Sequence, residues 1–275
     1  MKKSWLYDKN VIITGASSGF GKLLATTLVK KYRCKVIGVA RTQSKLESLK
    51  QELGDNFSYY PFDVSDQTKW EELAKLLNQK GEIIDILINN AGILPPFSTF
   101  DKYSADEVIK VMNINFFATV YAVKALENIL KKSAYSAIIN ISSSAALCTV
   151  CGTGAYSASK SALKSFTESL ILENKNRYVA IVCPGFAKTD IFRSQKKLSE
   201  KENSLLSLVC SSPEKIVRKL IKKITRKRKR IVLGFDAKLM DFFARIFPRL
   251  TPRIIGWVLK NSGISLFENV FNSQK

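Results

Sequence analysis

The sequence predicts an α/β protein with a doubly wound parallel sheet, a layer of helices on each face and an amphipathic C-terminal extension. Short apolar runs alternate with longer amphipathic stretches along most of the chain, and this alternation is typical of parallel sheets covered by helices. The first apolar run also leads through a glycine-rich turn into a helix-like stretch. In such sheets the ligand crevice lies at the carboxyl ends of the strands.

The predicted elements follow one another in regular order. Strand-like runs cover residues 10–14, 35–40, 57–61, 83–89, 137–142, 178–183 and 231–233. Amphipathic stretches predict helices at residues 22–31, 45–53, 68–79, 105–130 and 156–174. The chain has 275 residues, 46% of them hydrophobic, and no repeat or low-complexity linker. We therefore expect one domain over residues 1–235, followed by the amphipathic extension, residues 236–275.

The first turn has the residue types of a phosphate-binding loop. Glycines let the backbone approach a pyrophosphate closely, and the N–H groups at a helix N-terminus attract anions. The spacing is G-x-x-x-G-x-G rather than G-x-G-x-x-G, so the turn indicates a nucleotide site or, alternatively, only a tightly packed strand–helix junction. Its candidate contact residues are Gly15, Ser17, Ser18, Gly19, Phe20 and Gly21.

The same turn also matches G-x-S-x-G, the pattern around the nucleophile of many serine hydrolases. That interpretation would require a base that activates Ser17. The chain contains no histidine, so the usual catalytic triad is excluded.

Tyr156 and Lys160 lie four residues apart in a predicted helix, so their side chains fall on one face. A neighbouring ammonium favours the phenolate and lowers the pKa of a tyrosine from its reference value of roughly 10. Ser143 follows an apolar strand-like run and could hold a substrate oxygen by hydrogen bonding. The three residues indicate proton transfer to or from a carbonyl or alcohol, although a Tyr-x-x-x-Lys pair alone also arises by chance on amphipathic helices.

Taken together, these motifs resemble the short-chain dehydrogenase/reductase family, from residue 10 to residue 189. The resemblance implies a Rossmann-like fold that binds NAD(P), with the glycine-rich turn as its cofactor loop. It implies a catalytic tetrad of Asn115, Ser143, Tyr156 and Lys160. Further cofactor contacts are implied for Asp63, Val64, Asn90, Ala91, Gly92, Tyr156, Lys160, Pro184, Gly185 and Thr189.

The resemblance also implies a mechanism, in which hydride passes between the nicotinamide and a carbonyl or secondary alcohol. Tyr156 would act as general acid/base and Ser143 would orient the reacting oxygen. Lys160 would lower the pKa of Tyr156 and contact the nicotinamide ribose, and Asn115 would maintain a water-linked proton path. A homodimer or homotetramer is implied, formed through the helices that contain Asn115 and Tyr156.

The residue after the second strand predicts which dinucleotide is bound. An acidic residue there binds the ribose 2′-hydroxyl of NAD, whereas a basic one accommodates the 2′-phosphate of NADP. This chain has Arg41 at that position, Lys45 one helical turn later and no neighbouring carboxylate in the sequence. NADP(H) is therefore favoured over NAD(H).

Positive charge is the second conspicuous property of the chain. It has 44 Lys and Arg against 23 Asp and Glu, a formal net charge of +21. Nine of the basic residues lie between residues 218 and 230, a stretch without an acidic residue. Such a block fits a solvated helix face, a contact with anionic lipid or a nucleic-acid patch. Nucleic acid is the least favoured of the three because nothing else in the chain supports it.

Residues 236–247 and 253–259 are amphipathic and carry bulky apolar side chains. Charged residues and prolines interrupt them, and no stretch reaches the ~20 apolar residues that span a bilayer. A basic face beside an apolar face predicts binding to the surface of an anionic membrane. The alternative is a lid or a subunit interface that covers the substrate pocket.

The five cysteines show no framework spacing, which is consistent with reduced thiols. Cys148 and Cys151 form a C-x-x-C pair, but further metal ligands are lacking at suitable spacing, so we expect no metal site. We favour lining of the substrate pocket over a redox role for this pair.

Residues 1–8 lack the apolar core of a signal peptide. We expect an intracellular, cytoplasmic protein, peripheral at a membrane surface if the C-terminal segment binds one.

The segment after Gly185 is expected to cover the substrate. Together with the C-terminal apolar segment it favours a small lipophilic carbonyl or alcohol as substrate. A non-catalytic NADP(H) sensor, or a scaffold at a membrane surface, is the competing hypothesis, and the intact tetrad argues against it. The apolar residues of the expected cover are Phe186, Ile191, Phe192, Leu205, Leu206, Leu208 and Val209.

Overall fold

The computed structural model describes residues 4–187, 199, 202 and 210–271, and a seven-stranded parallel sheet lies at its centre. The strands are β1 (Asn10–Thr14), β2 (Lys35–Ala40), β3 (Phe57–Pro61), β4 (Ile86–Asn89), β5 (Ala137–Ile141), β6 (Tyr178–Pro184) and β7 (Arg230–Leu233). Their order is β3-β2-β1-β4-β5-β6-β7. The chain starts in the middle of the sheet, builds one edge, crosses back and builds the other, which confirms the doubly wound prediction.

Helices cover both faces of this sheet. They are α1 (Gly19–Tyr32), α2 (Gln43–Leu53), α3 (Gln67–Gln79), α4 (Ala105–Met112), α5 (Ala118–Lys131), α6 (Gly154–Glu173), α7 (Pro213–Thr225), α8 (Phe235–Ile246), α9 (Leu250–Lys260) and the short α10 (Glu268–Phe271). Val11 and Ile13 of β1 belong to the core under α1, α2 and α7, whereas Ile12 between them belongs to the core under α3 and α5. This alternation confirms the three-layer prediction.

Most predicted boundaries lie within two residues of the observed ones, and three elements differ by more. Helix α1 begins at Gly19 rather than residue 22, because the end of the glycine-rich turn is already helical. Strand β4 begins at Ile86, and Ile83, predicted to lie in it, is 42% exposed. The helix predicted over residues 105–130 is divided into α4 and α5 by a π-helical segment, Asn113–Phe117. Hydrophobic periodicity does not register one extra residue in a turn, so the sequence predicted a continuous helix.

The helical stretch 105–131 is also the one part of the described chain that is long and apolar enough to cross a membrane. Its apolar side chains Ala122, Leu126 and Ile129 are completely buried in the protein core. Burial of these side chains is the property of a core helix in a globular fold.

The C-terminal segment packs against residues near the catalytic tyrosine predicted from the sequence. Met240 of α8, together with Phe267 and Val270, shares a hydrophobic cluster with Tyr156 and Phe97. The rings of Phe97 and Phe267 meet edge to face, with centroids 4.9 Å apart. The segment that begins after β7 therefore contributes core contacts to the same end of the sheet.

Candidate active site

A cleft of about 600 Å³ opens beside residues that follow six of the strands. It includes the ends of the neighbouring strands β1 and β4, where the winding of the sheet reverses, as expected for a ligand crevice. Gly21 and Asn115 are buried behind its wall, and Thr189 lies outside the described residues. The predicted site residues that line it are Gly15, Ser17, Ser18, Gly19, Phe20, Arg41, Asp63, Val64, Asn90, Ala91, Gly92, Ser143, Tyr156, Lys160, Pro184 and Gly185.

The glycine-rich turn lies inside this cleft, between the residues that follow β2 and those that follow β4. Gly15 and Gly19 have φ angles of 67° and 52°, a conformation that favours glycine. A Cβ atom at Gly21 would collide with the carbonyl oxygen of Gly15, so only glycine lets α1 start this close to β1. Ser18 makes no side-chain capping bond, and the first turn of α1 contains no acidic residue. The N–H groups at this helix end are therefore available for an anionic ligand.

Thr14 holds the glycine-rich turn against the loop after β4, although it was not among the predicted site residues. Its hydroxyl oxygen accepts hydrogen bonds from the backbone N–H groups of Asn90 and Ala91, at 2.9 and 3.0 Å. The side-chain amide of Asn90 donates to the Thr14 carbonyl oxygen at 3.0 Å. Thr14 is buried, which shields these bonds from water. The signal for these bonds in the sequence was a polar residue, Thr14, directly after three apolar residues of β1.

Tyr156 lies in the first turn of α6 and lines the cleft beside Ser143. Burial raises the pKa of Tyr156 to about 12, and the hydrogen bond with Ser143 offsets part of that rise. Ser143 is itself oriented by the backbone N–H of Ala145, which donates to its Oγ at 3.1 Å. The phenol is protonated at neutral pH. Burial therefore outweighs the lowering of the Tyr156 pKa by Lys160 that we expected from the sequence.

Lys160 lines the cleft but is only 2% exposed. Its Nζ donates to the carbonyl oxygen of Ile141 at 3.0 Å and lies 5.9 Å from the centroid of the Tyr156 ring. Burial lowers the pKa of Lys160 to about 8. A Cβ atom at Gly92 would lie 3.1 Å from Nζ, so glycine at this position leaves the ammonium accessible from the cleft.

Asn115 lies in the π-helical segment and is 1% exposed. Its Oδ1 accepts from the N–H of Ile93 at 2.8 Å, and its Nδ2 donates to the carbonyl oxygen of Ile93 at 2.9 Å and to Ser159 Oγ at 3.0 Å. Ser159 Oγ donates in turn to the Tyr156 carbonyl oxygen at 2.7 Å. The Asn115 side chain thus ties the loop after β4 to the start of α6. The proton path expected through Asn115 stays a prediction.

A second buried polar chain, absent from the predictions, fixes α6 on the sheet. Asn89 Nδ2 donates to Asn140 Oδ1 at 2.8 Å, and Asn140 Nδ2 donates to Thr167 Oγ1 at 2.9 Å. Nearer the predicted catalytic residues, Ser142 Oγ donates to the Lys160 carbonyl oxygen at 2.8 Å. Because buried hydrogen bonds are costly to break, these residues hold the helix of Tyr156 and Lys160 in one register.

Arg41 and Asp63 are neighbours in space at the β2–β3 end of the cleft. The Arg41 guanidinium lies 3.8 Å from the Asp63 carboxylate, which corrects the inference from the sequence that no carboxylate stands near Arg41. The two residues meet because β2 and β3 are paired. The pair is largely exposed and therefore weak. Asp63 Oδ1 also accepts bonds from the N–H and Oγ of Ser65, so its own loop holds the carboxylate.

Asp236, in the first turn of α8, supports the chain segment after β6. Its Oδ2 accepts a hydrogen bond from the Phe186 N–H at 2.6 Å, and its carboxylate fills the space that side chains at Gly185 or Gly234 would need. Oδ1 is buried and has no hydrogen-bond partner among the described residues. Burial raises the pKa of Asp236. This single side chain therefore joins α8 to the cleft wall at Gly185.

The opposite end of the cleft is apolar, with Leu94, Phe97, Val150 and Phe186 in its lining. The C-x-x-C pair was expected to line this part, but the structure corrects this. Cys148 is buried behind the wall, Cys151 is exposed, and Val150 between them lines the cleft instead. The described residues contain no cluster of three metal-ligating side chains. Of the expected substrate cover, only Phe186 is described.

Comparison with known proteins identifies the family. A sequence profile described as short chain dehydrogenase matches residues 9–200. The chain belongs to the short-chain dehydrogenase/reductase family. Benzil reductase ((S)-benzoin forming) IRC24 of Saccharomyces cerevisiae is 34% identical over 201 residues, 70% of this chain and 75% of that protein. The 3-dehydrosphinganine reductase of Danio rerio is 30% identical over 230 residues, 79% of this chain and 68% of that protein.

Solved structures of short-chain dehydrogenases share the fold. A short-chain dehydrogenase from Streptomyces avermitilis has a TM-score of 0.76 at 25% identity, covering 93% of this chain and 98% of that one. Two others, from Burkholderia phymatum and Burkholderia cenocepacia, have TM-scores of 0.78 and 0.77 at 21% and 20% identity; each covers 91% of this chain, and they cover 96% and 98% of those chains. The first contains NAD and the second NADP.

The residues of this short-chain dehydrogenase/reductase fit a bound nicotinamide dinucleotide. The glycine cradle that Cβ atoms would fill lies beside the uncapped start of α1, between the β2–β3 end of the cleft and the residues that follow β4. Tyr156 and Lys160 line the same cleft. A continuous crevice with an anion-binding cradle between its two ends matches the shape and charge of NAD(P).

Proposed function

We propose that the protein is an NADP(H)-dependent oxidoreductase that interconverts a lipophilic carbonyl compound and its secondary alcohol, with Tyr156 as general acid/base. One observation carries the proposal: Tyr156, hydrogen-bonded to Ser143, shares a continuous cleft with the glycine-rich phosphate cradle. A phosphate cradle alone would fit any nucleotide-binding module. A buried phenol beside a hydroxyl in that same cleft supports carbonyl chemistry.

In the reducing direction, Tyr156 donates its proton to the carbonyl oxygen of the substrate while Ser143 donates a hydrogen bond to that oxygen. Bound NADPH supplies the hydride to the carbonyl carbon. The raised pKa of Tyr156, about 12, keeps the proton on the phenol at neutral pH until the oxygen becomes basic. Lys160 is almost fully buried, so its positive charge stabilises the phenolate that remains more strongly than an exposed lysine would.

NADP(H) is proposed over NAD(H) because of the charges at the β2 end of the cleft. Arg41 and Lys45 both line it there. Asp63 lies near Arg41, but an exposed contact of 3.8 Å leaves the guanidinium able to turn toward a 2′-phosphate, which it could bind through two parallel hydrogen bonds. A purely acidic site would instead repel that phosphate.

A lipophilic substrate is proposed because the cleft wall opposite the phosphate cradle is apolar. Phe97, Val150 and Phe186 offer no hydrogen-bonding side chain there. The names of the two relatives point in the same direction, since benzil and 3-dehydrosphinganine are both largely apolar ketones.

The protein is further proposed to be cytoplasmic, peripheral at a membrane surface, and to form a homodimer or homotetramer. Ile109 on α4 and Phe117 at the end of the π-helical segment are exposed and suit such a subunit contact.

The cofactor part of the proposal is tested by fluorescence titration with NADPH and NADH. Wild-type protein should bind NADPH more tightly. Arg41→Asp should weaken NADPH binding at least about tenfold, since it removes one charged hydrogen-bonding partner of the 2′-phosphate, and should leave NADH binding within about twofold. Lys50→Asp is a control, because Lys50 lies on α2, the helix that begins two residues after Arg41, and does not line the cleft. Binding of neither nucleotide would overturn the proposal.

A non-catalytic NADP(H)-binding module is the competing function, and Tyr156→Phe separates it from the enzyme. The substitution removes only the hydroxyl. Turnover of a lipophilic ketone, followed by NADPH oxidation, should fall by about 10²–10⁴-fold, the usual contribution of a general acid, while NADPH affinity stays unchanged. If wild type and Tyr156→Phe oxidise NADPH equally slowly, and the biological activity of the protein survives the substitution, the non-catalytic module is supported.

A further inference from the structure

The helices α8 and α9 expose an unusual concentration of large apolar side chains. Of the sixteen large hydrophobic residues that are exposed in the described chain, ten lie between residues 235 and 258. With each of them about half exposed, the patch is on the order of 1,000 Å², which exceeds the few hundred Å² that soluble monomers usually expose. The ten are Phe235, Leu239, Phe242, Phe243, Ile246, Phe247, Leu250, Ile254, Trp257 and Val258.

Each helix has a separate inner face that packs on the protein. Ala237 and Met240 of α8 are buried, and Ile255 and Leu259 of α9 pack against the cluster that contains Tyr156. The exposed residues of α8 instead recur at positions 235, 239, 242 and 246, one stripe of the helix. The exposed stripe is therefore additional to the face that the fold uses, and we call it the outer face of the α8–α9 hairpin.

Positive side chains border the apolar stripe on each helix of this outer face, and we call this border its edge. Lys238 and Arg245 are seven residues apart on α8, and Arg253 and Lys260 are seven apart on α9, so each pair lies on one side of its helix. All four are exposed. Of the two acidic residues of the hairpin, Asp236 is turned inward under Gly185, and Asp241 is bound by Arg230 and Arg245. The edge therefore carries net positive charge.

A basic turn, residues 226–229, lies next to the hairpin. Arg230, which follows it, pairs with Asp241 of α8 at 2.6 Å. This contact holds the turn beside the middle of α8. Within the part of the chain that the structure describes, no carboxylate pairs with its four cations, all of which are exposed. The four cations are Arg226, Lys227, Arg228 and Lys229.

We propose that the outer face of the α8–α9 hairpin and the basic turn bind the surface of an anionic membrane, and that the hairpin thereby sets the apolar end of the cleft against the bilayer. Apolar side chains enter the boundary of the acyl chains while the flanking cations meet anionic head groups. A second copy of the chain fits this surface less well. A symmetric pairing would bring the cations at its edge together, in a protein of net charge +21.

The part of the proposal that concerns the cleft rests on the proposed function. Ile255 and Leu259 on the inner side of α9 belong to the same cluster as Tyr156 and Phe97. The hairpin is thus the layer between the membrane and the apolar end of the cleft. A ketone dissolved in the bilayer would reach Tyr156 across one layer of helices.

Trp257 offers a direct optical test, because it is 67% exposed at the centre of the outer face while Trp70 is fully buried and Trp5 is half-buried. With the full-length protein, vesicles of phosphatidylcholine and phosphatidylserine should shift the tryptophan emission to the blue and carry the protein upward in flotation. Vesicles of phosphatidylcholine alone should bind at least about tenfold more weakly, because several cations contribute to the contact. Absence of a blue shift and of flotation would overturn the proposal.

Two variants locate the contact. Phe242→Glu should reduce vesicle affinity at least about tenfold, because it places a charge in the apolar stripe. Leu172→Glu is its matched control, since Leu172 is 80% exposed on α6, and it should bind like wild type. Equal binding by Phe242→Glu and wild type would overturn the proposal. The proposal would also be overturned if wild type were a dimer that binds no vesicles and Phe242→Glu were a monomer. A second copy of the chain would then occupy the face.

Activity measurements separate this proposal from the proposed function. Phe242→Glu should reduce a water-soluble ketone at the wild-type rate but lose turnover of a ketone dissolved in phosphatidylserine vesicles. Full turnover of the vesicle-bound ketone by this variant would overturn delivery from the bilayer. If wild type binds vesicles and reduces no ketone at all, the proposed function fails while the membrane contact stands.

Discussion

The two ends of the cleft are held together by different forces. At the nucleotide end, hydrogen bonds such as those from Asn90 and Ala91 to Thr14 fix two backbone loops. At the substrate end, apolar side chains from distant parts of the chain, among them Phe97, Val150 and Phe267, meet in one cluster. Hydrogen bonds have strict distances and angles, whereas apolar contacts depend mainly on shape and volume.

Under the proposed function, this difference shows how one fold combines a fixed cofactor site with an adaptable substrate site. The nucleotide end positions a ligand of constant shape, so its backbone must stay in place. The apolar end only needs to exclude water and to match the volume of a substrate, so its side chains can change independently. Substitutions at one end should therefore leave the other nearly intact.

The largest effect on stability is expected at the apolar end. Phe267 is 4% exposed and contacts Phe97, which lines the cleft. Phe267→Ala should lower the free energy of unfolding by about 3–5 kcal/mol, the usual cost of such a cavity, and raise the KM of a lipophilic ketone. The Kd of NADPH should stay within twofold. Phe100→Ala, at a site that is 73% exposed, should cost less than about 0.5 kcal/mol. If Phe267→Ala raised the Kd of NADPH as much as the KM of the ketone, the two ends of the cleft would not be independent.

The nucleotide end should respond in the opposite way to Gly21→Ala. The new methyl group would collide with the Gly15 carbonyl oxygen and lie 2.7 Å from Asn90 Nδ2, so the cradle must open. We expect the Kd of NADPH to rise by about 100-fold, or about 2.7 kcal/mol. Gly256→Ala is the control, because a Cβ atom there meets nothing within 4 Å; in the interior of α9 it should stabilise the protein by up to ~1 kcal/mol. Unchanged nucleotide binding in Gly21→Ala would contradict the assigned cradle.

Lys160 stands between the two ends, and its buried charge costs stability. Its pKa is lowered from 10.5 to about 8, so below pH 8 the ammonium is charged in both states and the folded state carries the penalty. Lys160→Met should abolish turnover and raise the free energy of unfolding by about 1–3 kcal/mol at pH 7. As the pH rises from about 8 toward 10.5, the wild-type lysine is neutral first in the folded state, so this gain should shrink. If the stability gain from Lys160→Met instead grows as the pH rises, burial does not lower the pKa of Lys160.

The smallest effect is expected at Asp236, which links the hairpin to the cleft wall at Gly185. Asp236→Ala removes the acceptor of the Phe186 N–H and should raise the KM of NADPH about fivefold, close to the ~1 kcal/mol of one hydrogen bond, with little change in kcat. Asp236→Asn keeps an acceptor oxygen and should restore the wild-type KM. If the Ala and Asn variants behave alike, the acceptor oxygen at residue 236 does not position the segment after β6.

Much of the nucleotide end was predictable because its requirements are local. The glycines at 15, 19 and 21 lie within one turn, and the backbone conformation they permit follows from residue type alone. The clamp at Thr14 and the chain from Asn89 through Asn140 to Thr167 were missed. Each joins residues that are far apart in the sequence, so their pairing depends on strand order.

The π-helical segment and the charge states were missed for related reasons. A π-helical turn at Asn113–Phe117 leaves the pattern of apolar residues nearly unchanged, so periodicity predicted one helix. The sequence placed Lys160 beside Tyr156 and so predicted a lowered tyrosine pKa. Burial instead raises it to about 12, because the cost of removing a charge from water depends on neighbours that only the folded chain supplies.

The sequence by itself determined the α/β class, the doubly wound parallel sheet and many of the residues that line the cleft, because periodicity and short motifs are local properties of a chain. The tertiary structure decided the Arg41–Asp63 contact, the position of Asp236 under Gly185 and the outer face of the hairpin. Amphipathicity can be read from a sequence, but which apolar stripe remains uncovered depends on what packs against the other, and that is settled only when distant segments meet.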